Sequence, residues 1–298
     1  MSVWGVVFWL VAATGLAALC GSFLGGLHPA GDSLAVFRSH IAGAGALWVL
    51  IGWATGMTSP AWLVLLAVAV TPAAMGYTRY EFVSAAPNTT IYQKNMRYRN
   101  PDISELTADI REIAPDILTL QEMTVDHTKI LQELKDILPY SHHCDYGPVG
   151  TAAVASRWPT IDGSKLCVDG FTAMRVDAPE GPLWVGSVHL HWPWPERQRV
   201  MVDDLVPVMQ GLDGPAIVGG DFNMVPWSST LRRIATALGA ERAGRVRMSF
   251  PLNHPKGLPL EQIAQLPIDH VLIPAGKRGA SELRPKLGSD HRGLVVRF

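Results

Sequence analysis

Charge is almost absent from the first quarter of this 298-residue chain. Between Met1 and Tyr77 only Asp32 and Arg38 are charged, so 24 of the 25 Lys and Arg residues and 25 of the 26 Asp and Glu residues lie beyond that point. A stretch so poor in solvated groups cannot supply an ordinary water-facing surface, and it divides the chain into two materials. Residues 3–24 are uncharged and rich in Val, Leu, Ala, Phe and Trp. About 20 apolar residues suffice to cross the hydrocarbon core of a bilayer as a helix. A second uncharged run covers 41–77 and is broken by Thr58-Ser59-Pro60, where a hydroxylated pair and a proline suit a tight turn.

Each half of that run is near the ~17-residue lower limit for a span. The expectation is a membrane anchor over residues 1–80 with three transmembrane helices, hence a multi-pass protein of the cell membrane, with a re-entrant or interfacial second pair as the alternative. No basic residue precedes the first run and two more apolar runs follow it, which speaks against a cleavable signal peptide. Three crossings would leave Arg38 and Arg79 on one side. The positive-inside rule would then make that side, and the large domain with it, cytoplasmic.

The rest of the chain is close to neutral, and the whole carries a net charge of −1. A sequence-independent nucleic-acid binder normally shows a surplus of Lys and Arg for phosphates, so nucleic acid is a weaker partner expectation than a lipid bilayer and a phosphorylated, lipid-linked substrate. Arg242, Arg245 and Arg247 are candidates for a local basic patch, although the Arg245-Val246-Arg247 alternation fits the solvent face of a strand. Cys20 lies in an apolar run, while Cys144 and Cys167 fit no metal spacing. A disulfide between those two would imply an extracytoplasmic domain, and the sequence does not fix their separation.

From residue 89 onward, short apolar runs alternate with helical patterns and are separated by Gly, Pro, Asn and Asp, an α/β or α+β arrangement. A helix is expected after Asn100-Pro101-Asp102, with Ile103, Leu106, Ile110 and Ile113 on one face. It leads into a strand at 117–120, with Glu122 just past its end. A strand at 183–190, a helix at 195–212 and a strand at 216–219 follow, and Asp221 and Asn223 come directly after. Residues 268–273 read as a strand containing Asp269-His270, and 293–298 as a last strand after Asp290-His291. The polar groups of interest thus sit within or just beyond short strands, where a scaffold can hold loops in fixed relation.

Taken singly, each group has an ordinary reading. Gly219-Gly220-Asp221-Phe222-Asn223 and Gly288-Ser289-Asp290-His291 are also turn sequences. Gln121-Glu122 offers a hard oxygen ligand, yet an exposed Glu is usually solvated. Asp269 inside an apolar strand needs a cation or donor nearby, and His291 is the natural candidate. His189 and His191, two apart at a strand end, suggest zinc; no second HxH, HExxH or cysteine pair accompanies them, and His142-His143 is a poor supplement. Asn95 closes the first strand of the domain.

In this order and together, these elements resemble the endonuclease/exonuclease/phosphatase superfamily, the DNase I-like fold of nucleases, neutral sphingomyelinases and inositol polyphosphate 5-phosphatases. The resemblance covers 89–298. It implies an α+β catalytic domain, a four-layered β-sandwich flanked by helices, here preceded by N-terminal transmembrane helices. It implies a metal-dependent phosphoric ester hydrolase with Glu122 as the principal Mg²⁺ ligand, Asp290 and Asn95 contributing directly or through water, and Mn²⁺ as a substitute. Asp221 would orient or deprotonate the attacking water, Asn223 would donate to the phosphoryl group, His291 paired with Asp269 would serve proton transfer or charge stabilisation, and His189 would contact the phosphate. Three apolar helices joined to such a domain also resemble the teicoplanin-resistance membrane proteins, which implies a domain facing outward, opposite to the arginine count.

The motifs specify chemistry at phosphorus and leave the substituent open. A nuclease and a catalytically inactive membrane interaction module are the alternatives. Residues 191–195, which include Trp192 and Trp194, fit an aromatic wall of the cleft, a membrane-dipping loop, or two tryptophans packed on the sheet edge.

Overall fold

The computed structural model describes residues 2–59, 61–62, 88–252 and 264–298. Beyond residue 88 the chain builds two six-stranded sheets. One contains β1 (Thr90–Asn95), β2 (Ile117–Met123), β3 (Tyr140–His143), β4 (Thr151–Ser156), β13 (Ala280–Leu283) and β14 (Leu294–Arg297), in the order β13-β14-β1-β2-β4-β3. The other contains β5 (Thr160–Val168), β6 (Phe171–Ala178), β7 (Gly181–His189), β8 (Ala216–Asp221), β9 (Ala240–Arg242) and β12 (Asp269–Pro274), in the order β5-β6-β7-β8-β12-β9. A two-stranded ribbon, β10 (Phe250–Pro251) with β11 (Gln265–Leu266), lies beside them.

Alternation along each strand explains the layering, because successive side chains point to opposite faces. Ile91, Ile117, Val185, Ile217 and Val296 form the core between the sheets. Their neighbours Tyr92, Leu118 and Val295 face outward into a second core with Leu106 and Ile110 of α4 (Ser104–Ile113) and Ile130 of the short α5 (Lys129–Glu133). On the far side, Phe171, Ala173 and Val218 pack with Val202 and Leu205 of α6 (Gln198–Gln210) and Leu231 and Ile234 of α7 (Ser229–Ala237). The result is the expected helix–sheet–sheet–helix sandwich. Strands buried on both faces read as apolar runs, which is why β2, β8 and β12 were legible. The α4 start was legible too, with Asp102 Oδ1 accepting from the Ser104 amide at 2.8 Å.

Several boundaries differ from the sequence reading. β2 runs through Glu122 to Met123, β8 includes Asp221, and α6 starts at Gln198 rather than 195. Arg245-Val246-Arg247 lies outside any strand, and Arg247 instead bonds Ser281 Oγ at 3.1 Å. β3 to β6 had no sequence assignment. Cys144 and Cys167 are joined as a disulfide with a Cα separation of 5.5 Å, linking the segment after β3 to β5 and so one edge of each sheet to the other.

The described residues do not support the expected three-pass anchor. Among the described residues, α1 (Val3–Gly21) alone is long and apolar enough to cross a bilayer, with only 11% of its most apolar window buried. α3 (Arg38–Ala54) reaches that standard only when combined with α2 (Pro29–Val36), from which it bends by 65°. Multi-pass topology is therefore not supported, and residues 63–77 of the expected third crossing lie outside the described residues. α1 and α3 pack side by side, with the Phe8 and Trp48 rings stacked at 5.3 Å.

α2 occupies what read as a loop between spans. Pro29 opens it, His28 Nδ1 accepts from the Ala30 amide at 3.2 Å, and Ala35 and Val36 are buried in the core that contains Phe222 and Leu231. Tertiary burial, rather than length or amphipathicity, holds this eight-residue helix.

Candidate active site

β1 and β2 run parallel in one sheet and β7 and β8 run parallel in the other, so all four end at one edge of the sandwich. There His189 stands opposite Asp221, and Asp269, opening antiparallel β12, also stands opposite Asp221. The two glycines before Asp221 allow this convergence. A Cβ at Gly219 would collide with Thr119 Oγ1 of the facing sheet, and one at Gly220 with the Val188 carbonyl of β7. Glu122 sits at a register shift in β2 with φ +56°, a bulge that turns its side chain toward the edge. Asn223 has φ +48°, so two of the sequence-selected polar residues hold left-handed backbone, a cost borne where neighbouring structure fixes it.

Asn95 Nδ2 donates to Glu122 Oε1 and to Asp221 Oδ2, both at 3.0 Å. Glu122 Oε2 accepts from the Tyr98 amide at 2.9 Å. His189 Nε2 lies 3.7 Å from Glu122 Oε1 and 3.9 Å from Asp221 Oδ2. His291 Nε2 approaches Asp221 Oδ2 at 3.6 Å, while its Nδ1 bonds Asp269 Oδ2 at 2.9 Å, the pairing expected from sequence. Asn223 donates its amide hydrogen to Asp221 Oδ1 at 2.9 Å, and its side chain donates to the Leu190 carbonyl at 2.8 Å. That last contact uses one of the two carboxamide hydrogens and fixes the side chain on the cleft wall.

Asp290 is half-buried on the wall of the same cleft, with Arg97 Nε at 3.9 Å. His191 is exposed on the loop, because β7 ends at His189 and the strand alternation stops there.

Burial dominates the electrostatics. It pushes the Asp221 carboxyl up to about 7, against the pull of His291. Burial also opposes charge on His291, yet the Asp269 and Asp221 carboxylates overcome it and raise the imidazole to about 9. Asp269 is held below the usual carboxylate range despite its burial, because His291 faces it. Burial lowers His189 in spite of Glu122, which favours a neutral ring. Asp221 as proton acceptor beside a charged His291 held by Asp269 is therefore the protonation pattern these surroundings favour.

A supporting layer escaped the sequence reading. Gln93 Nε2 donates to Asp269 Oδ1 at 2.9 Å and to Gln121 Oε1 at 2.8 Å, and Gln121 Nε2 donates to Ser187 Oγ at 2.9 Å. The Asp269 amide donates to Ser249 Oγ at 3.2 Å. Ser289 Oγ donates to the Asn95 carbonyl at 2.8 Å and accepts from the His291 amide at 3.0 Å. Lys94 is fully buried, and its ammonium donates to the carbonyls of Lys286 at 2.6 Å and His291 at 2.7 Å. Only its alternation on β1 between Gln93 and Asn95 hints at this. A lysine in a short strand otherwise reads as solvated.

Glu122, His189, Asp221, Asn223, Asp290 and His291 line a cleft of ≈ 640 Å³ whose walls also include Cys144, Cys167, Trp192 and Phe250. Another concavity, of ≈ 670 Å³ between residues 131–141 and 160–165, contains Asp162 as its single acid and no histidine. Glu122, Asp221 and Asp290 on the first cleft offer hard oxygens of the kind Mg²⁺ prefers, and among the described residues neither lysine nor arginine pairs with Glu122, so the donor set fits such an ion. Asn95 shows its nitrogen to the carboxylates while its Oδ1 accepts from the Arg97 amide at 2.9 Å. Direct ligation through Oδ1 would require the amide to turn over. His142 Nε2 lies 3.4 Å from Cys167 Sγ, but the disulfide occupies both sulfurs and removes that cluster as a thiolate site.

Residues 93–291 match the model of the Endonuclease/Exonuclease/phosphatase family. A UPF0294 protein of Vibrio vulnificus (strain YJ016) is 31% identical over 143 residues, which make up 48% of this chain and 43% of that relative. The chain thus spans less than half the length of this curated relative. An endonuclease/exonuclease/phosphatase family protein from Leptotrichia buccalis superposes with a TM-score of 0.56 at 14% identity, over 70% of this chain and 98% of its own. D. rerio TDP2 complexed with single-strand DNA product gives 0.54 at 16% identity, with 70% and 98% covered. A beta toxin from Staphylococcus aureus with bound magnesium ions gives 0.50 at 13%, with 70% and 99% covered. At such identities the structures establish the common fold.

Proposed function

This chain belongs to the Endonuclease/Exonuclease/phosphatase family, and from that premise we propose that it is a Mg²⁺-dependent phosphoesterase of a membrane surface, hydrolysing a phosphodiester or phosphomonoester on a lipid-linked substrate. The observation that carries the chemistry is the gathering of Asn95, Glu122, His189 and His291 around the buried Asp221 carboxylate.

Hydrolysis at phosphorus needs charge neutralisation, an aligned water and protonation of the leaving oxygen. Asp221, pushed up to about 7, is poised to take a proton from water as its oxygen bonds to phosphorus. His291, held protonated by Asp269 on its Nδ1 side, sets positive charge beside the phosphoryl oxygens and gives its Nε2 proton to the leaving oxygen as that bond breaks. Neutral His189, between Glu122 and Asp221, donates a hydrogen bond to the phosphate. Glu122 and Asp290 would hold Mg²⁺, with Asn95 aiding after its amide turns. The ion supplies Lewis-acid stabilisation of negative charge on the phosphoryl and leaving oxygens.

α1 supports the membrane assignment, since its apolar side chains are largely outside the protein core. We divide the chain accordingly into an anchor within residues 1–80 and a catalytic domain over 89–298. The Cys144–Cys167 bond supports placing the domain on an oxidising, outward side, against the two-arginine argument. A nucleic-acid substrate is the second reading, favoured by the DNA product bound to D. rerio TDP2 and disfavoured by the near-neutral charge of this chain. The test is hydrolysis by the full chain in vesicles, with Mg²⁺ or EDTA, of phospholipids, isoprenoid phosphates, inositol phosphates and DNA. Mg²⁺-dependent release from a lipid phosphoester is expected. Cleavage of DNA alone would overturn the lipid assignment.

A further inference from the structure

The segment joining α1 to α3 does more than connect them. α2 begins eight residues after α1 ends and is built into the catalytic domain. The Asp32 carboxylate accepts from the Ser229 and Thr230 amides at 2.8 and 3.0 Å and from Thr230 Oγ1 at 3.0 Å, capping α7 from outside that helix. Trp227 Nε1 donates to the Ala35 carbonyl at 2.9 Å, and Ser33 Oγ donates to the Trp194 carbonyl at 2.6 Å.

The partners of α2 lie on two particular connections. Trp194 is in the loop that follows β7 and His189, Trp227 is in the connection that follows β8, Asp221 and Asn223, and Ser229 opens α7 at the end of that connection. These are the loops of the catalytic edge. The edge that carries the chemistry is therefore the edge tied to the end of the apolar helix.

Aromatic side chains continue from this junction into the site. Trp194 is 50% exposed with its ring 6.2 Å from that of His28, the residue before α2. Two residues back, Trp192 is 39% exposed on the cleft wall, 6.2 Å from Phe250, whose ring lies 4.7 Å from His291. Indole rings favour the zone between hydrocarbon and water, where an apolar body and a polar N–H are both accommodated.

We propose that α2 fixes the mouth of the cleft against the bilayer, with residues 191–195 entering the headgroup layer as the rim over which a lipid phosphoester passes to His291. This rests on the membrane reading above and commits the surface to one partner, the bilayer that α1 enters. A substrate with one substituent in the lipid layer then meets the site by lateral diffusion. A water-soluble ester has no use for the rim.

The test uses the full chain with Cys20→Ser, reconstituted in phosphatidylcholine and phosphatidylglycerol vesicles containing nitroxide lipids. A fluorophore is attached at Trp192→Cys, at Trp194→Cys and, as the control, at Glu180→Cys, which precedes β7 and so lies at the strand end remote from His189. Quenching by headgroup-proximal nitroxides is expected to be several-fold greater at 192 and 194 than at 180. Equal quenching at all three positions would overturn the proposal. In a second arm, Trp194→Asp is expected to slow hydrolysis of a lipid phosphoester in vesicles about tenfold while leaving bis(4-nitrophenyl) phosphate hydrolysis unchanged. An unchanged vesicle rate would also overturn it. Strong quenching at 192 and 194 in a protein that hydrolyses no phosphoester would sustain the docking and sink the enzymatic reading instead.

Discussion

Gln93 and Lys94 are fully buried at the end of β1, and Asp221 and Asp269 are 1% exposed, whereas Trp4 and Leu10 of α1 stand 75% and 63% exposed. Each set reverses what water demands of its residue type. The buried charges are answered by other side chains or the backbone: Gln93 Nε2 meets Asp269, Lys94 meets two loop carbonyls, and Asp269 meets His291, while Gln93 Oε1 and Thr119 Oγ1 are left without a partner among the described residues. The exposed apolar groups find no such answer among the described residues. A polar interior whose charges are answered from within marks a site, and an apolar exterior left unsatisfied marks a surface made for another medium.

The sharpest break of this contrast comes at the site. Asp221→Asn, Glu122→Gln and His291→Ala should each lower kcat by about 10³-fold, the scale at which a general base or charge-stabilising group acts. Far-UV circular dichroism should change little; the thermal midpoint should hold for Asp221→Asn and Glu122→Gln but fall for His291→Ala, which leaves the buried Asp269 carboxylate without its partner. A variant that keeps near-full turnover removes its residue from the proposed mechanism, and EDTA should abolish wild-type activity.

That constellation was also the most legible part of the chain. Asp221, Asp290 and His291 sit in short motifs, and burying a charge in an apolar strand announced the partner of Asp269. Strand ends were less legible: Glu122 lies inside β2 because a bulge redirects it, and hydropathy does not report a bulge. Asn223 was placed by motif, and motif does not report that one of its amide hydrogens is held by the Leu190 carbonyl. α2 was invisible because eight residues with a Gly and an Asp carry little helical pattern, and its reason for existing is 197 residues away at Ser229. The edge strands β3 and β5 are half exposed, so their alternation is weak.

Lys94 tests the interior half of the comparison. Lys94→Met keeps the aliphatic stem but leaves the carbonyls of Lys286 and His291 without their donor, which should cost about 3 kcal/mol in chemical unfolding. Turnover should fall with it, since those carbonyls belong to the loop carrying Asp290 and His291. A variant as stable as the parent would mean that water replaces the ammonium.

His270 offers a smaller and pH-dependent test. Burial, aided by Arg242, lowers its imidazole to about 4, and Nε2 bonds the Met224 carbonyl at 2.7 Å. The unfolded ring titrates near 6.5, so below that pH the unfolded state binds the extra proton. The stabilisation is fully present above about 6.5 and is lost as pH falls toward 4, by about 2 kcal/mol at pH 5. His270→Gln retains a donor without this titration. The stability difference between parent and variant, from urea midpoints in EDTA, should shift by that amount between pH 7.5 and 5, and a constant difference would contradict a buried neutral ring.

The weakest expected effect lies where the two regimes meet. Asp32 spends its carboxylate on three donors of α7, so Asp32→Ala should cost about 1 kcal/mol, as loss of a helix cap does. Because α2 holds no residue of the site, the loss should appear as local opening: amide exchange across Pro29–Val36 and the first turn of α7 should quicken about fivefold at that energy, while amides of β1 and β8 keep their protection. Hydrolysis of a soluble ester should persist and hydrolysis in vesicles should fall. If soluble-ester turnover fell equally, the dock and the site would be one cooperative unit, and the contrast between an interior with its charges answered and a membrane-facing exterior would have no boundary at α2.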